Sequence, residues 1–343
     1  MNFKKLYVWI VLFPLLLTAC GGSKATPELP GPDVPDVPKP GVNPWDANRG
    51  KEVHPSGTGW TSTTIEDGIV YYTFEGKESV SNAPQRIFVT DIDMSKNQYE
   101  FKLDYYSGRS TASTVFANRN AIACINAGYE RESIVVWVDG THYYTMPNNT
   151  IGTTGVPNWK SEAAVFMDNK QDVRIEFCCK GMSITQERTY YMSLYGKEKT
   201  VLSSAPMLID DYEPVGESFV NNHPKQSSSS EDPYTHQNTN THPRTALAKT
   251  EFNHLLMVVV DGRRSSVSRG MSAKELTGFL VKNFNPQYAI NLDGGGSSTM
   301  CVKGQGDPQT HVVNYPTDSD EVQGVPDHSG ERSVPTFFYV VKK

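Results

Sequence analysis

Leu255-Leu256-Met257-Val258-Val259-Val260, running straight into Asp261-Gly262-Arg263, is an unbroken apolar run of strand length that stops at a charged turn. A run without alternation fits a strand covered on both faces. A second run, Tyr288-Ala289-Ile290-Asn291-Leu292, ends the same way, in Asp293-Gly294-Gly295-Gly296-Ser297-Ser298. Between them Ser272 stands three residues before Glu275, the spacing of a capping box, and opens a helix expected to run to about Phe284. Strand, helix and strand in that order predict two parallel strands joined by a right-handed crossover. Parallel strands finish at the same sheet edge. Asp261 and Asp293 are therefore expected at one edge, with backbones roughly 5 Å apart if the strands are neighbours and roughly 10 Å apart if one strand intervenes. Either spacing turns both carboxylates toward one crevice, where open α/β sheets hold ligands.

Outward from this unit, strand signals prevail. Ile69–Phe74, Arg86–Asp93 and Tyr99–Tyr105, in which Tyr99, Phe101, Leu103 and Tyr105 alternate, predict strands with one buried face. Thr111–Asn118 predicts a short helix and Ala121–Ala127 a central strand. Val135–Val138 and Thr141–Thr145 flank Asp139-Gly140, a favoured hairpin turn pair, and Ala163–Met167 with Val173–Cys178 predicts a second hairpin through Asn169-Lys170. His242-Pro243-Arg244-Thr245 leads into another strand, and Val334–Val341 is the last. The expected class is α+β or α/β, a strand-rich mixed sheet with a C-terminal β-α-β unit and few helices. Val215–Thr241 holds Ser227–Ser230 and almost nothing apolar, so it reads as a long surface loop. Its His223 and His236, with His242, have a spacing that fits no compact metal-ligand set, and no metal is expected.

The N-terminus is an address. Lys4 and Lys5 precede an apolar run, Leu6–Leu17, too short to span a bilayer and of signal-peptide proportions. It ends in Leu17-Thr18-Ala19-Cys20, a lipobox pattern that marks Cys20 for lipidation and the membrane as a partner. Gly21–Val42 is so rich in proline that it predicts an extended tether. The division expected is a signal peptide over 1–20, a tether over 21–44, a strand-rich region over 45–120 and a site-bearing domain over 121–343, held at a bacterial cell envelope on its periplasmic face or outer surface. Of the other cysteines, Cys124, Cys178, Cys179 and Cys301 show no metal spacing and read as small buried hydrophobes with at most one bridge.

Composition narrows the function. A chain of 343 residues with 37% hydrophobic content can bury a large core, and a net charge of -6 lacks the clustered Lys and Arg of a nucleic-acid binder. Gly294–Gly296 removes side chains beside Asp293, so backbone amides there can approach an anion, with the Ser297 and Ser298 hydroxyls next to them. No Lys follows the glycines, which argues against a nucleotide P-loop. Arg244, Arg263 and Arg332 each supply a planar fork suited to phosphate or carboxylate.

Asn126-Ala127-Gly128, Ala205-Pro206-Met207-Leu208, His242-Pro243-Arg244-Thr245-Ala246, Asp261-Gly262-Arg263, Gly270-Met271-Ser272, Asn291-Leu292-Asp293-Gly294-Gly295-Gly296-Ser297-Ser298-Thr299, Val313-Asn314-Tyr315-Pro316 and Gly330-Glu331-Arg332 stand in the order seen in phosphodiester glycosidases. Over about Ala121–Val341 the chain resembles that family. The resemblance implies hydrolysis of the bond between an anomeric carbon and a phosphate oxygen in a phosphorylated glycan or sugar-1-phosphodiester, releasing a sugar such as N-acetylglucosamine, without a cofactor. It implies Asp293 and Asp261 as base or nucleophile and as stabiliser of oxocarbenium charge, with Asp293 leading because it adjoins the glycine turn. It implies Arg244, Arg263, Arg332 and the Gly294, Gly295, Gly296, Ser297 and Ser298 amides at the phosphate, and Asn126 and Asn314 at the sugar or phosphate. Two other readings compete: a surface glycan-binding lipoprotein that cleaves nothing, and a metal-dependent phosphodiesterase using Asp261, Asp293 and loop histidines. A binder has no need of two carboxylates that repel its anionic ligand, which favours the hydrolase.

Overall fold

Apolar runs close on one another as antiparallel ladders throughout this protein, seen here in a computed structural model that describes residues 44–129, 134–144, 150–151, 156–157, 159–168, 172–178, 184–218, 240–318 and 327–343. The signal peptide, Cys20, the tether up to residue 43, Cys179, His223 and His236 lie outside the described residues. Pro44–Lys343 forms one unit.

The largest sheet has the order β1 (Trp60–Glu66), β2 (Ile69–Glu78), β3 (Ala83–Asp93), β15 (His254–Val260), β14 (Arg244–Lys249), β16 (Tyr288–Asn291) and β13 (Met207–Ile209). A second sheet runs β11 (Val173–Phe177), β10 (Ala163–Met167), β12 (Thr200–Ser204), β6 (Val136–Val138) and β7 (Thr141–Tyr144). A third runs β17 (Met300–Val302), β5 (Ala123–Asn126), β18 (Val334–Lys342) and β4 (Tyr99–Ser110), and β8 (Thr150–Ile151) pairs with β9 (Val156–Pro157). Strands from the first third of the chain share sheets with the last third, β3 pairing with β15 and β4 with β18. The β6–β7 turn uses Asp139 at φ 47° and Gly140 at φ 83°, the two positive values that a tight hairpin with matching twist requires.

Of the two spacings left open for the strand–helix–strand unit the structure has the wider, with one strand intervening, and it is the mixed sheet expected around the unit that needs correcting. β15 and β16 share no ladder. Each pairs antiparallel with β14, which lies between them, so the two point the same way, and the sheet is antiparallel rather than mixed at every described pairing. The apolar run of β15 reports that both its faces are covered, not which strand lies beside it. One face, with Leu255, Met257 and Val259, joins the core shared with the other sheets. The opposite face, with Leu256, Val258 and Val260, is covered by α3 (Ala273–Asn283) through Leu276, Phe279 and Leu280, all fully buried. Burying each such side chain contributes about 1.5–3 kcal/mol. Among the described residues the other α-helices are α1 (Ala112–Arg119), capped by Thr111, and α2 (Ile184–Ser193).

Both halves of the α3 capping box are formed: Ser272 Oγ accepts from the Glu275 amide at 3.2 Å, and Glu275 Oε2 accepts from the Ser272 amide at 2.9 Å. Ser272→Ala is expected to cost about 1 kcal/mol in urea unfolding and Ser272→Asp only a few tenths, because a carboxylate restores the acceptor. Equal losses in both would show that the cap does not hold this helix.

Candidate active site

β14 begins between two bare Cα atoms. A Cβ on Gly262 would lie 2.6 Å from the Pro243 nitrogen, and one on Gly294 would lie 2.7 Å from the Pro243 oxygen. Any side chain at either position would push the start of β14 out of the sheet. The chain turns that follow β15 and β16 thus close on Pro243 from both sides, and Asp261 and Asp293 emerge at one edge with β14 between them, an interval of roughly 10 Å across two strand spacings.

The two carboxylates sit in different surroundings. Asp261 is buried, its amide donates to the Arg86 carbonyl at 3.0 Å, and its carboxyl accepts from Asn314 Nδ2 and the Tyr315 amide at 3.2 Å. Burial pushes its pKa up to about 7, against the opposing pull of those two donors and of Arg264 and Arg86. Asp293 is only half-buried. Its backbone is clamped: the amide donates to the Ala127 carbonyl at 2.9 Å and its own carbonyl accepts from Asn126 Nδ2 at 2.6 Å.

Polar side chains beneath the turn form a continuous network. Asn126 Oδ1 accepts from Thr245 Oγ1 at 2.8 Å and from the Thr299 amide at 3.1 Å, and Thr245 Oγ1 lies 3.1 Å from Ser298 Oγ. Asn314 Nδ2 also donates to the Ser298 carbonyl at 2.9 Å, and its Oδ1 accepts from the Met300 amide at 2.9 Å. Asn291 Nδ2 donates to the Tyr129 hydroxyl and the Ala205 carbonyl at 2.9 and 3.0 Å. Asn126 and Asn314 are fully buried with these bonds made. With these bonds they brace the Asp293 turn and the Asp261 carboxyl from below. Within the turn, the Gly295, Ser297 and Ser298 amides donate to the Pro243, Gly294 and Gly295 carbonyls, so three of the expected anion-cradle donors hold the turn's own shape.

The arginines separate likewise. Arg244 is buried, with Nε 2.7 Å from the Met271 carbonyl and Nη2 3.2 Å from that of Asn240, and burial pulls its pKa down to about 10. It remains charged at neutral pH. Arg263 and Arg332 reach the glycine turn from outside. Arg263 Nη2 comes within 3.0 Å of where a Gly295 Cβ would stand, and Arg332 Nη1 is 3.5 Å from Ser297 Oγ. Three neighbours of the turn have no role in the sequence reading. Asp318 forms an ion pair with Arg332. Tyr315 carries Arg86 over its ring at 4.6 Å. His328 stacks on Tyr315 at 4.5 Å and bonds the Asn314 carbonyl through Nδ1 at 2.8 Å. Tyr315 was within reach, since it follows Asn314 in the quoted motif. Among the described residues, no three His, Cys, Asp or Glu side chains gather as a metal site would need.

A family profile described as phosphodiester glycosidase matches residues 119–341. Among solved structures, the chain is similar to the catalytic domain of zebrafish N-acetylglucosamine-1-phosphodiester alpha-N-acetylglucosaminidase, auto-inhibited by its pro-peptide, with a TM-score of 0.55 at 15% identity over 85% of this chain and 87% of that one. It is similar to a Burkholderia pseudomallei protein described as exported, with a TM-score of 0.57 at 12% identity over 85% and 98%. A hypothetical protein from Synechocystis gives a TM-score of 0.53 at 12% identity over 84% and 64%. At these identities the structural likeness is one of fold. No curated protein shows detectable similarity to the chain.

The raised pKa of Asp261 has a thermodynamic sign. Its folded value of about 7 lies above the ordinary 3.8, so between those limits the folded state keeps a proton that the unfolded chain has lost. Stability is therefore expected to fall as pH rises through that window, by on the order of 1–4 kcal/mol at its upper end. Asp261→Asn removes this component and leaves a flatter profile. Unfolding free energies of both proteins from pH 4.5 to 8 test it, and parallel profiles would mean that Asp261 does not hold its proton.

Proposed function

The chain belongs to the phosphodiester glycosidase family, and on that premise we propose that it hydrolyses the bond between the anomeric carbon of a sugar and a phosphate oxygen in a sugar-1-phosphodiester. The observation that carries this reading is the half-buried Asp293 at the head of a glycine turn, with Arg263 and Arg332 reaching that turn from the solvent side. In the proposed reaction a water oxygen ends on C1, and the C1–O bond breaks with its electrons passing to the phosphate oxygen. The leaving phosphate monoester is already a stabilised anion near neutral pH, its second pKa being about 6. Its departure needs positive charge more than a proton, and Arg263 and Arg332 supply that charge. Asp293 faces the cationic carbon, as base on the water or as nucleophile.

Asp261 takes a lesser part than the sequence suggests. Buried and bonded to Asn314 and Tyr315, it acts on the reaction by holding the segment beneath the turn. Arg244 acts as a buried positive charge behind the start of β14. N-acetylglucosamine is the first sugar to test, since the zebrafish protein of this fold is named for it. A lipid on Cys20 would hold the enzyme at the cell envelope, in keeping with an exported protein among its structural neighbours.

Asp293→Asn keeps the backbone bonds to Ala127 and Asn126 and removes the charge. It is expected to melt near wild type and to lose about 100-fold or more in kcat on a sugar-1-phosphodiester, while simple O-glycosides are poor substrates for both proteins. A strongly lowered Tm would make Asp293 a structural turn residue. Undiminished turnover would remove it from the chemistry, and wild-type binding without turnover would favour the glycan binder. Cys20→Ala should move the protein from the membrane to the soluble fraction, whereas membrane retention would refute the lipid anchor.

A further inference from the structure

Asp318 places a carboxylate on the outer face of the glycine turn. Arg332 Nε and Nη2 donate to its two oxygens at 2.5 and 3.0 Å, a bidentate fork, while Arg332 Nη1 lies 3.5 Å from Ser297 Oγ. A Cβ on Gly296 would stand 2.1 Å from Asp318 Oδ1 and 2.3 Å from Arg332 Nη2, so carboxylate and guanidinium both rest on a bare Cα. Beside the neighbouring Gly295, Arg263 adopts a left-handed backbone with φ 64°, a conformation that costs a residue with a side chain about 1 kcal/mol. That conformation accompanies a guanidinium 3.0 Å from the Cβ position of Gly295 and 3.5 Å from Thr317 Oγ1. Strain of this kind clusters where a side chain must be aimed.

One cationic fork, Arg332, thus holds the Asp318 carboxylate on the bare Cα of Gly296, with the Ser297 hydroxyl beside that fork and Arg263 at the neighbouring Gly295. We propose that the Asp318 carboxylate stands in for the substrate's phosphate on Gly296, Ser297 and Arg332, and that an anionic substrate displaces it. The inference rests on the reading of this turn as the phosphate side of the site. Charge makes the exchange easy: a phosphodiester carries one negative charge, as the carboxylate does, so replacing one by the other leaves the Arg332 guanidinium balanced as before. The pair is also weak enough to give way. Its side chains are 41% and 33% exposed, and ion pairs so open to water and salt contribute about 0–1 kcal/mol. Asp318 then acts as a threshold against weakly held anions, and the dianionic monoester product meets the same competitor.

The test titrates inorganic phosphate into full-length protein in detergent at low ionic strength, by calorimetry, with no turnover required. Asp318→Asn and, as a second variant, Asp318→Ser are expected to bind phosphate about threefold to tenfold more tightly than wild type. Adding Arg332→Gln to either is expected to abolish the gain. Phosphate affinity equal to or below wild type in both Asp318 variants would overturn the proposal and make the carboxylate a support for Arg332. A gain that survives Arg332→Gln would also overturn it by placing the phosphate elsewhere. A wild type that hydrolyses no sugar phosphodiester would sink the hydrolase reading and leave this result standing.

Discussion

Everything at the sheet edge depends on the narrow passage through which β14 begins. Pro243 passes between Gly262 and Gly294, and at each the nearest atom of Pro243 would lie inside 2.8 Å of an added Cβ. That clearance lets β14 pair with both β15 and β16 up to their carboxyl ends, so the two chain turns that carry Asp261 and Asp293 arrive on the same side of the sheet. A glycine does for this fold what no larger residue can: it lets one backbone lie directly against another where an aspartate leaves the strand.

Beneath that edge the protein has built a polar floor. Asn126, Asn291, Asn314 and Thr245 are buried with hydrogen bonds to one another's neighbours, and in a low-dielectric setting such bonds hold geometry more firmly than they would in water. The floor fixes the backbone of Asp293 while leaving the residue half open, and it encloses the carboxyl of Asp261. Two carboxylates in unlike environments are suited to unlike roles, and the proposed reaction gives one to the reacting carbon and the other to holding its surroundings.

Much of this architecture is legible in sequence wherever the signal is local. Ser272 and Glu275 mark the start of α3 because a capping box is closed within four residues, and Asp139-Gly140 marks its hairpin because the turn needs two positive φ values. What the sequence leaves hidden is non-local. The apolar run of β15 shows that two faces are covered but is silent on β14, whose own residues begin with a buried arginine. β1 reads Trp-Thr-Ser-Thr-Thr-Ile-Glu and is largely open to solvent, so it lacks an apolar pattern, and β13 and β17 are three residues each, too short to show a period. α2 has no clear apolar face. The same limit governs the site. An asparagine announces that it can make hydrogen bonds, and only the fold reveals that Asn126 and Asn314 make theirs inward. Asp318 offers no local signal at all, since its partner Arg332 lies fourteen residues away.

The central claim is that this edge breaks the sugar carbon–oxygen bond rather than attacking phosphorus, with Asp293 proposed at the cationic carbon and Arg263 and Arg332 at the leaving anion. Hydrolysis of an N-acetylglucosamine-1-phosphodiester in ¹⁸O-water, followed by mass spectrometry of both products, tests that claim directly. The account predicts label on the C1 hydroxyl of the released sugar and a phosphate monoester that carries none; ¹⁸O in the phosphate would contradict it and make the site a phosphodiesterase.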